Sequence, residues 1–323
     1  MINSIKKYQN FISQEIEELN LPSVPQQLYE PITYFLSLGG KRMRPVLTLM
    51  GCELFQSDYS KAKQAALAVE LFHNFSLIHD DIMDEAPLRR GQQTVHIKWN
   101  TNVGVLSGDA LLILAYQQLT TYSADILKEL LPLFNQTAIE VCEGQQYDMD
   151  FELRSDVSIQ EYIQMIRFKT AVLLGCSLQM GAIIGGACQK DAKALYHFGL
   201  NLGIAFQLQD DILDVYADQN KFGKQVGGDI IANKKTYLLL KAFEDADANQ
   251  SKLLNELLLE SNADKKVKGV KQIYELLDIK SKAELKMNDF YQIALKSLNE
   301  INLSATKKEP LLNLANFLMG REN

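Results

Sequence analysis

Apolar positions recur along this chain three and four residues apart, the spacing that keeps one face of a helix in a core. No stretch alternates apolar and polar residues as a half-buried strand would. The pattern predicts helices over residues 1–21, ended by Pro22 and Pro25, and 26–38, ended by Gly39 and Gly40, the residue type most able to turn out of a helix. Further helices are predicted over 45–55, with Pro45 in the first turn, over 61–84, broken by Pro87, and over 101–122, 130–153, 159–186 and 192–215. Residues 223–233 hold Gly223, Gly227 and Gly228 and read as a loop, followed by a helix over 234–246. The C-terminal remainder reads as amphipathic helices, with the charged run ADKKVKGVK (263–271) as a solvated surface. The fold class expected is all-α, a single domain over residues 1–323 in which helices surround a central cavity.

A hydrophobic fraction of 47% against 23% charged residues is that of a globular chain, and seven prolines in 323 residues leave room for long uninterrupted helices. A formal charge of −7 and a pI near 5.3 argue against a nucleic-acid partner, which needs a basic face against the phosphate backbone. Cys52, Cys142, Cys176 and Cys188 lie far apart, form no CxxC pair and sit among small or apolar residues. They are therefore expected to be reduced and buried, in a cytoplasmic protein. The N-terminal segment is amphipathic and lacks the apolar run of a signal peptide, and no window reaches the roughly 18 continuous apolar residues of a membrane helix.

Two segments carry the chemistry. HDDIMD (79–84) and QDDILD (209–214) share the pattern D-D-x-x-D, with Asp80, Asp81 and Asp84 in the first and Asp210, Asp211 and Asp214 in the second. Residues four apart share a helical face, so Asp80 lies over Asp84 and Asp210 over Asp214, and each pair can bridge one hard cation. The first cluster falls at the C-terminal end of its predicted helix, where the macrodipole is already negative; a cation would resolve that conflict. Carboxylates held close in apolar sequence must take up protons or bind cations. Oxygen-only ligands, with no cysteine or clustered histidine beside them, suit Mg²⁺ shared with substrate phosphates.

Basic residues flank both clusters. Lys41, Arg42 and Arg44 stand at a predicted helix entrance, where backbone N–H groups favour an anion, and Arg89 and Arg90 follow the first aspartates, suited to bidentate phosphate contacts. His73 shares a helical face with Asp80, Gln145 shares one with Asp148, and Lys169 and Thr170 interrupt an apolar run. From the residues alone the reading is a cation-assisted reaction of a diphosphate ester in an apolar pocket.

GGKRMRP (39–45), HNFSLIHDDIMDEAPLRRG (73–91), GQQYD (144–148), FKT (168–170), FQLQDDILD (206–214) and GKQVGGDIIANKKT (223–236), in this order, resemble the trans-type polyprenyl diphosphate synthases of the isoprenoid synthase superfamily. The resemblance implies that superfamily's fold, a helical bundle around a deep central cavity. It also implies a head-to-tail condensation of isopentenyl diphosphate with an allylic partner: dimethylallyl, geranyl or farnesyl diphosphate. Mg²⁺, three ions per site with substrate bound, would be ligated by Asp80, Asp84 and Asp210 and supported by Asp81, Asp214, Gln145 and Asp148. Lys169 and Arg89 would join the three ligand aspartates in catalysis. Arg89, Lys169, Thr170, Gln207, Lys224 and Lys234 would hold the allylic diphosphate, and Lys41, Arg44, His73 and Arg90 the isopentenyl diphosphate. A homodimer is implied as well, with the helix over 101–122 as an interface element.

The same resemblance addresses chain length. Phe75 stands five residues before Asp80 and Ser76 four, as in short-chain geranylgeranyl synthases, where a bulky residue at the fifth position limits the tail; C20 is the product expected, with C15 next. On an ideal helix Ser76 lies about 40° from Asp80 around the axis and Phe75 about 140°. A class I terpene cyclase would share an aspartate-rich helix but not the paired motif together with GGKRMRP and RRG.

Overall fold

In the computed structural model, which describes residues 3–217 and 227–320, the only strands among the described residues are a short antiparallel ladder, Leu88–Arg89 (β1) against Gln92–Gln93 (β2). All other regular structure there is helical, and the fold class is all-α as expected. The contacts gather into two units. One comprises Met1–Gln136, Leu173–Tyr196 and Ile301–Pro310; the other comprises Thr137–Val172, His197–Glu300 and Leu311–Asn323.

The first unit is built from α1 (Asn3–Glu17), α2 (Gln26–Ser37), α3 (Met43–Glu53), α4 (Lys63–Met83), the turn α5 (Val95–Lys98) and α6 (Thr101–Leu119), with the start of α7 (Ala124–Leu153). Helix α4 is its axis. Ala65, Ala66, Ala68, Val69, Leu71 and Phe72 are all but inaccessible, and a helix apolar on every side must be enclosed; α3 and α6 pack against it. Helix α9 (Val172–Ile184) reaches α3 only because residue 181 is glycine, since a methyl there would sit 2.0 Å from the Thr48 carbonyl oxygen.

The second unit holds the rest of α7 and of α10 (Gln189–Tyr216), with α8 (Ile159–Ile166), α11 (Gly228–Ile231), α12 (Tyr237–Asp245), α13 (Ala248–Leu258), α14 (Ala263–Leu276), α15 (Ile279–Asn299) and part of α16 (Ala305–Met319). Two capping boxes start helices here: Ser158 with Glu161 opens α8, and Asp247 with Gln250 opens α13. Helix α12 packs on α8 and α15, and α14 on α13 and α15.

Several expected boundaries move. Helix α7 starts at Ala124 and runs through Pro132 rather than starting at residue 130. The single helix expected over 159–186 is three pieces: α8, a π-helical turn over Arg167–Ala171, and α9. The run ADKKVKGVK is not simply a solvated surface. It opens α14, where Lys266 is 5% exposed and donates its Nζ proton to the Ile231 carbonyl at 3.1 Å, and burial pushes its pKa down. All four cysteines are free thiols, but only Cys52 and Cys176 are buried; Cys142 and Cys188 are exposed, the latter because it lies in the turn between α9 and α10. No described helix is long and apolar enough to cross a membrane.

Candidate active site

In the first unit the last turn of α4 delivers the first aspartates. Asp84 closes the helix through its backbone N–H to the Asp80 carbonyl at 2.8 Å, so the two carboxylates stand one turn apart on one face, Asp80 half-buried and Asp84 exposed. Asp81 points the other way and is 1% exposed. A buried carboxylate needs a partner, and Arg89 supplies it: Nε donates to both oxygens at 2.9 and 2.8 Å, and Nη2 lies 2.8 Å from Oδ1. The β1–β2 hairpin makes this possible by folding Arg89 back over α4. Its loop residues Arg90 and Gly91 have φ of 54° and 76°, the two positive values that a tight I′-type hairpin loop demands.

Arg90 lies against the loop before α3. Gly40 has φ 136°, and a methyl there would sit 2.7 Å from the Arg90 Nη2, so glycine both shapes the loop and leaves room for the guanidinium. That loop is anchored from below by Arg42. Its side chain pairs with Glu70 in the core and donates Nη2 to the Leu36 carbonyl at 2.6 Å, and Asn74 holds Glu70 at 3.0 Å. Arg44, in the first turn of α3, donates Nη1 to His73 Nε2 at 3.0 Å, which places the imidazole proton on Nδ1. Burial, then Arg44, Arg90, Arg89 and Arg42, hold the His73 pKa well below its ordinary value, so the ring is neutral. Burial also lowers Arg44 to about 10, while Glu70 and Asp80 pull it back up. Lys41, whose carbonyl accepts from Gln9 at 2.7 Å, belongs to the same loop. The first unit thus brings Arg44, His73 and Arg90 into one strongly positive neighbourhood suited to an anion, with Lys41 on the adjoining loop.

The residues expected to limit chain length are on the same helix. Phe75 is buried, edge-on to His79 at 4.8 Å between centroids and tilted against Phe72 at 5.6 Å, and Ser76 donates to the His73 carbonyl at 2.9 Å. Phe72 continues the aromatic packing to Phe134 at 5.3 Å.

In the second unit a cleft of about 530 Å³ is lined by Asp148, Lys169, Thr170, Gln207, Asp211 and Lys234, among others. Lys169 and Thr170 sit in the π-helical turn, whose widened backbone turns them out of the α8–α9 line. Lys169 donates to Asp148 at 2.5 Å, and α7 approaches so closely that a methyl at Gly144 would lie 2.2 Å from the Lys169 nitrogen. Gln145, 8% exposed, has no partner for either amide atom among the described residues.

Asp211 is buried and accepts from the Tyr162 hydroxyl on Oδ2 and from Gln207 Nε2 on Oδ1 at 3.4 Å. Burial pushes its pKa up to about 7, and these hydrogen bonds pull it partly back. Asp214 caps α11, its Oδ2 taking the Asp229 backbone N–H at 3.0 Å. Burial raises the Asp229 pKa, Lys234 at 3.6 Å lowers it, and Asp214 adds to the rise. Asp210 is half-buried; neither it nor Asp214 lines the cleft. Lys224 lies outside the described residues.

Among the described residues no three His, Cys, Asp or Glu side chains form a closed set around an ion. The donors present are paired carboxylates, and these fit Mg²⁺, which takes one or two protein carboxylates and completes its octahedron with water and phosphate oxygens. Sequence reasoning did not single out Glu70, Tyr162 or Asp229, gave Asp211 no role beyond its place in the second motif, and took Arg42 only for a basic residue at the helix entrance. A lone glutamate in the apolar run LAVELFHNF was the available signal for a buried ion pair; Tyr162 carried none.

A sequence model of the polyprenyl synthetase family matches residues 25–277. The chain belongs to the polyprenyl synthetase family. The synthetase is 35% identical over 322 residues to the geranylgeranyl pyrophosphate synthase of Geoglobus acetivorans, covering 99% of this chain and 98% of that one. It is 36% identical over 329 residues to the geranylgeranyl diphosphate synthase of Sulfolobus acidocaldarius, covering 99% and 98%. A crystal structure of a geranylgeranyl pyrophosphate synthase matches the synthetase with a TM-score of 0.94 and 45% identity over 100% of both chains. The fold is therefore that of the isoprenoid synthases.

Proposed function

We propose that this synthetase is a Mg²⁺-dependent prenyltransferase that condenses isopentenyl diphosphate head to tail with allylic diphosphates and makes C20 geranylgeranyl diphosphate as its main product, with C15 farnesyl diphosphate next. The observation that carries the reading is the pairing of each D-D-x-x-D helix with its own basic neighbourhood: Arg44, His73 and Arg90 in one unit, Lys169 and Lys234 in the other. A reaction of two diphosphates needs two such neighbourhoods. The names of the relatives support C20.

Asp80, Asp84 and Asp210 would hold three Mg²⁺ together with the allylic diphosphate, with Asp81, Asp214, Gln145 and Asp148 in support. The metal supplies charge neutralisation of the departing pyrophosphate. Lys169, Thr170, Gln207, Lys224 and Lys234 orient that leaving group, and Arg89 meets it with Nη1, the nitrogen not engaged with Asp81. Lys41, Arg44, Arg90 and neutral His73 hold isopentenyl diphosphate. Breaking the allylic C1–O bond leaves a carbocation and pyrophosphate. The isopentenyl double bond attacks that carbon, and a proton then leaves the adduct for pyrophosphate, restoring an alkene. No covalent enzyme intermediate is required. A homodimer is part of the proposal, supported by the exposed apolar residues Val105, Leu106 and Ile113 on α6; so is a cytoplasmic setting, supported by four free thiols.

The test is incubation of purified protein with Mg²⁺, isopentenyl diphosphate and each allylic primer in turn, reading product length and pyrophosphate. C20 is expected, and Asp80→Ala and Asp210→Ala should each cut turnover about 100-fold or more with helix content kept. Pyrophosphate release independent of isopentenyl diphosphate would indicate a cyclase instead.

A further inference from the structure

Along the cleft of the second unit four side chains from three segments form one hydrogen-bonded chain. Tyr162, on the buried face of α8, gives its hydroxyl proton to Asp211 Oδ2; Gln207 gives Nε2–H to Asp211 Oδ1 at 3.4 Å; Thr170 gives its hydroxyl proton to Gln207 Oε1 at 3.4 Å. All four residues border the cleft. The donors run one way along it: with Gln207 Nε2 on Asp211, the amide's carbonyl oxygen is turned to Thr170. Were Asp211 free to rotate about its own bonds, its Oδ1 would no longer anchor the Gln207 amide in one place. Tyr162 removes that freedom by engaging the second carboxylate oxygen from a helix that the Ser158–Glu161 capping box holds at its start.

We propose that Tyr162 is a positioning residue for the ionisation step: through Asp211 it fixes the Gln207 amide with its nitrogen toward Asp211 and its carbonyl oxygen toward Thr170 and the cleft. This rests on the function proposed above. There, positive charge grows on the allylic carbon as the C–O bond breaks, and a carbonyl dipole fixed with its negative end toward the cleft stabilises that charge without reorganising. Tyr162 commits its hydroxyl to Asp211. Its effect reaches the reaction only through Gln207.

The test is a double-mutant cycle on the full chain with Mg²⁺, isopentenyl diphosphate and geranyl diphosphate. Tyr162→Phe removes one oxygen and keeps the ring. It should lower kcat about tenfold or more while the KM for isopentenyl diphosphate stays within about twofold, a split that general loosening of the fold would not produce. In a Gln207→Leu background the same change should cost nothing further, because the group it acts on is gone. Should Tyr162→Phe fail to fold, Asp211→Asn takes its place. It keeps the side-chain shape but presents an NH₂ group that can turn the Gln207 amide around, and the same loss and the same non-additivity are expected. Unchanged kcat, or losses that multiply with Gln207→Leu, would overturn the inference while leaving the proposed function standing. Gln207→Leu as active as the natural chain, or a natural chain inert toward both substrates, would overturn the reading of the site and this inference with it.

Discussion

A histidine 3.0 Å from a buried arginine takes up a proton only against repulsion, and His73 has four arginines acting on it besides its own burial. Its folded pKa therefore lies well below the ordinary 6.5, which its unfolded form keeps. Between those two values the unfolded chain binds more protons than the folded one, so this residue makes stability rise with pH through that window and fall away as pH drops below about 6.5. The urea midpoint should decline from pH 7 to pH 5.5 more steeply in the natural chain than in His73→Gln. Equal slopes would mean that the imidazole is not held neutral. The aspartates show what spacing discloses and what it hides. The D-D-x-x-D pattern places Asp80 over Asp84 and Asp210 over Asp214, and adjacent residues point about 100° apart on a helix, so one aspartate of each leading pair must face inward. It is the second in both cases: Asp81 at 1% exposure and Asp211 at 4%. Their partners, Arg89 for one and Tyr162 with Gln207 for the other, arrive from other elements and are not written in the local pattern.

At the scale of elements, the π-helical turn over Arg167–Ala171 is what sequence periodicity could not disclose. A bulge of this kind changes the hydrogen-bond step for one turn, and apolar residues on both sides, in α8 and α9, still read as one continuous helix. The signal lay elsewhere, in Gly144, whose lack of a side chain lets α7 touch the backbone of that turn. Gly144→Ala puts a methyl 2.2 Å from the Lys169 nitrogen and 2.7 Å from its Cα, both backbone atoms that cannot swing aside as a flexible side chain would. The helices must part, carrying Lys169 off Asp148. The variant should lose about tenfold or more in kcat and melt about 4 °C or more lower, whereas Gln146→Ala, on the exposed face of the same helix, should do neither. Thermal melts and single-turnover rates of the two variants decide it. Gly144→Ala with natural kcat would show that the turn does not depend on this contact. The run ADKKVKGVK misled for a related reason, since a lysine stem can cross a core to reach a carbonyl, as Lys266 does, without altering the polar look of the sequence.

For the whole molecule, the all-α class was legible because helical periodicity is continuous and few prolines interrupt it. The division into two units was not, because its boundaries at Gln136/Thr137 and Tyr196/His197 fall inside α7 and α10, where no proline- or glycine-rich linker marks them. The chemistry is divided in the same way. The first aspartates belong to one unit and the second to the other, and among the described residues neither offers a third carboxylate, histidine or cysteine to close a metal's shell. A cation alone thus meets incomplete coordination, and a diphosphate alone brings its charge up against aspartates that no cation neutralises. In the proposed site each ligand would supply what the other lacks: diphosphate oxygens would add to the cation's ligands, and the cation would cancel the repulsion between phosphate and aspartate. Because ligands that bind only the folded state raise its melting temperature with their affinity, Mg²⁺ alone and inorganic pyrophosphate alone should each shift the melt little. Together they should shift it by clearly more than the sum. The excess should vanish in Asp80→Ala and in Asp210→Ala and persist in Gln146→Ala. A merely additive shift, or an excess that survives both aspartate variants, would mean that the cations and the diphosphate bind at separate places, and the assignment of Asp80 and Asp210 to a shared metal–diphosphate site would fall.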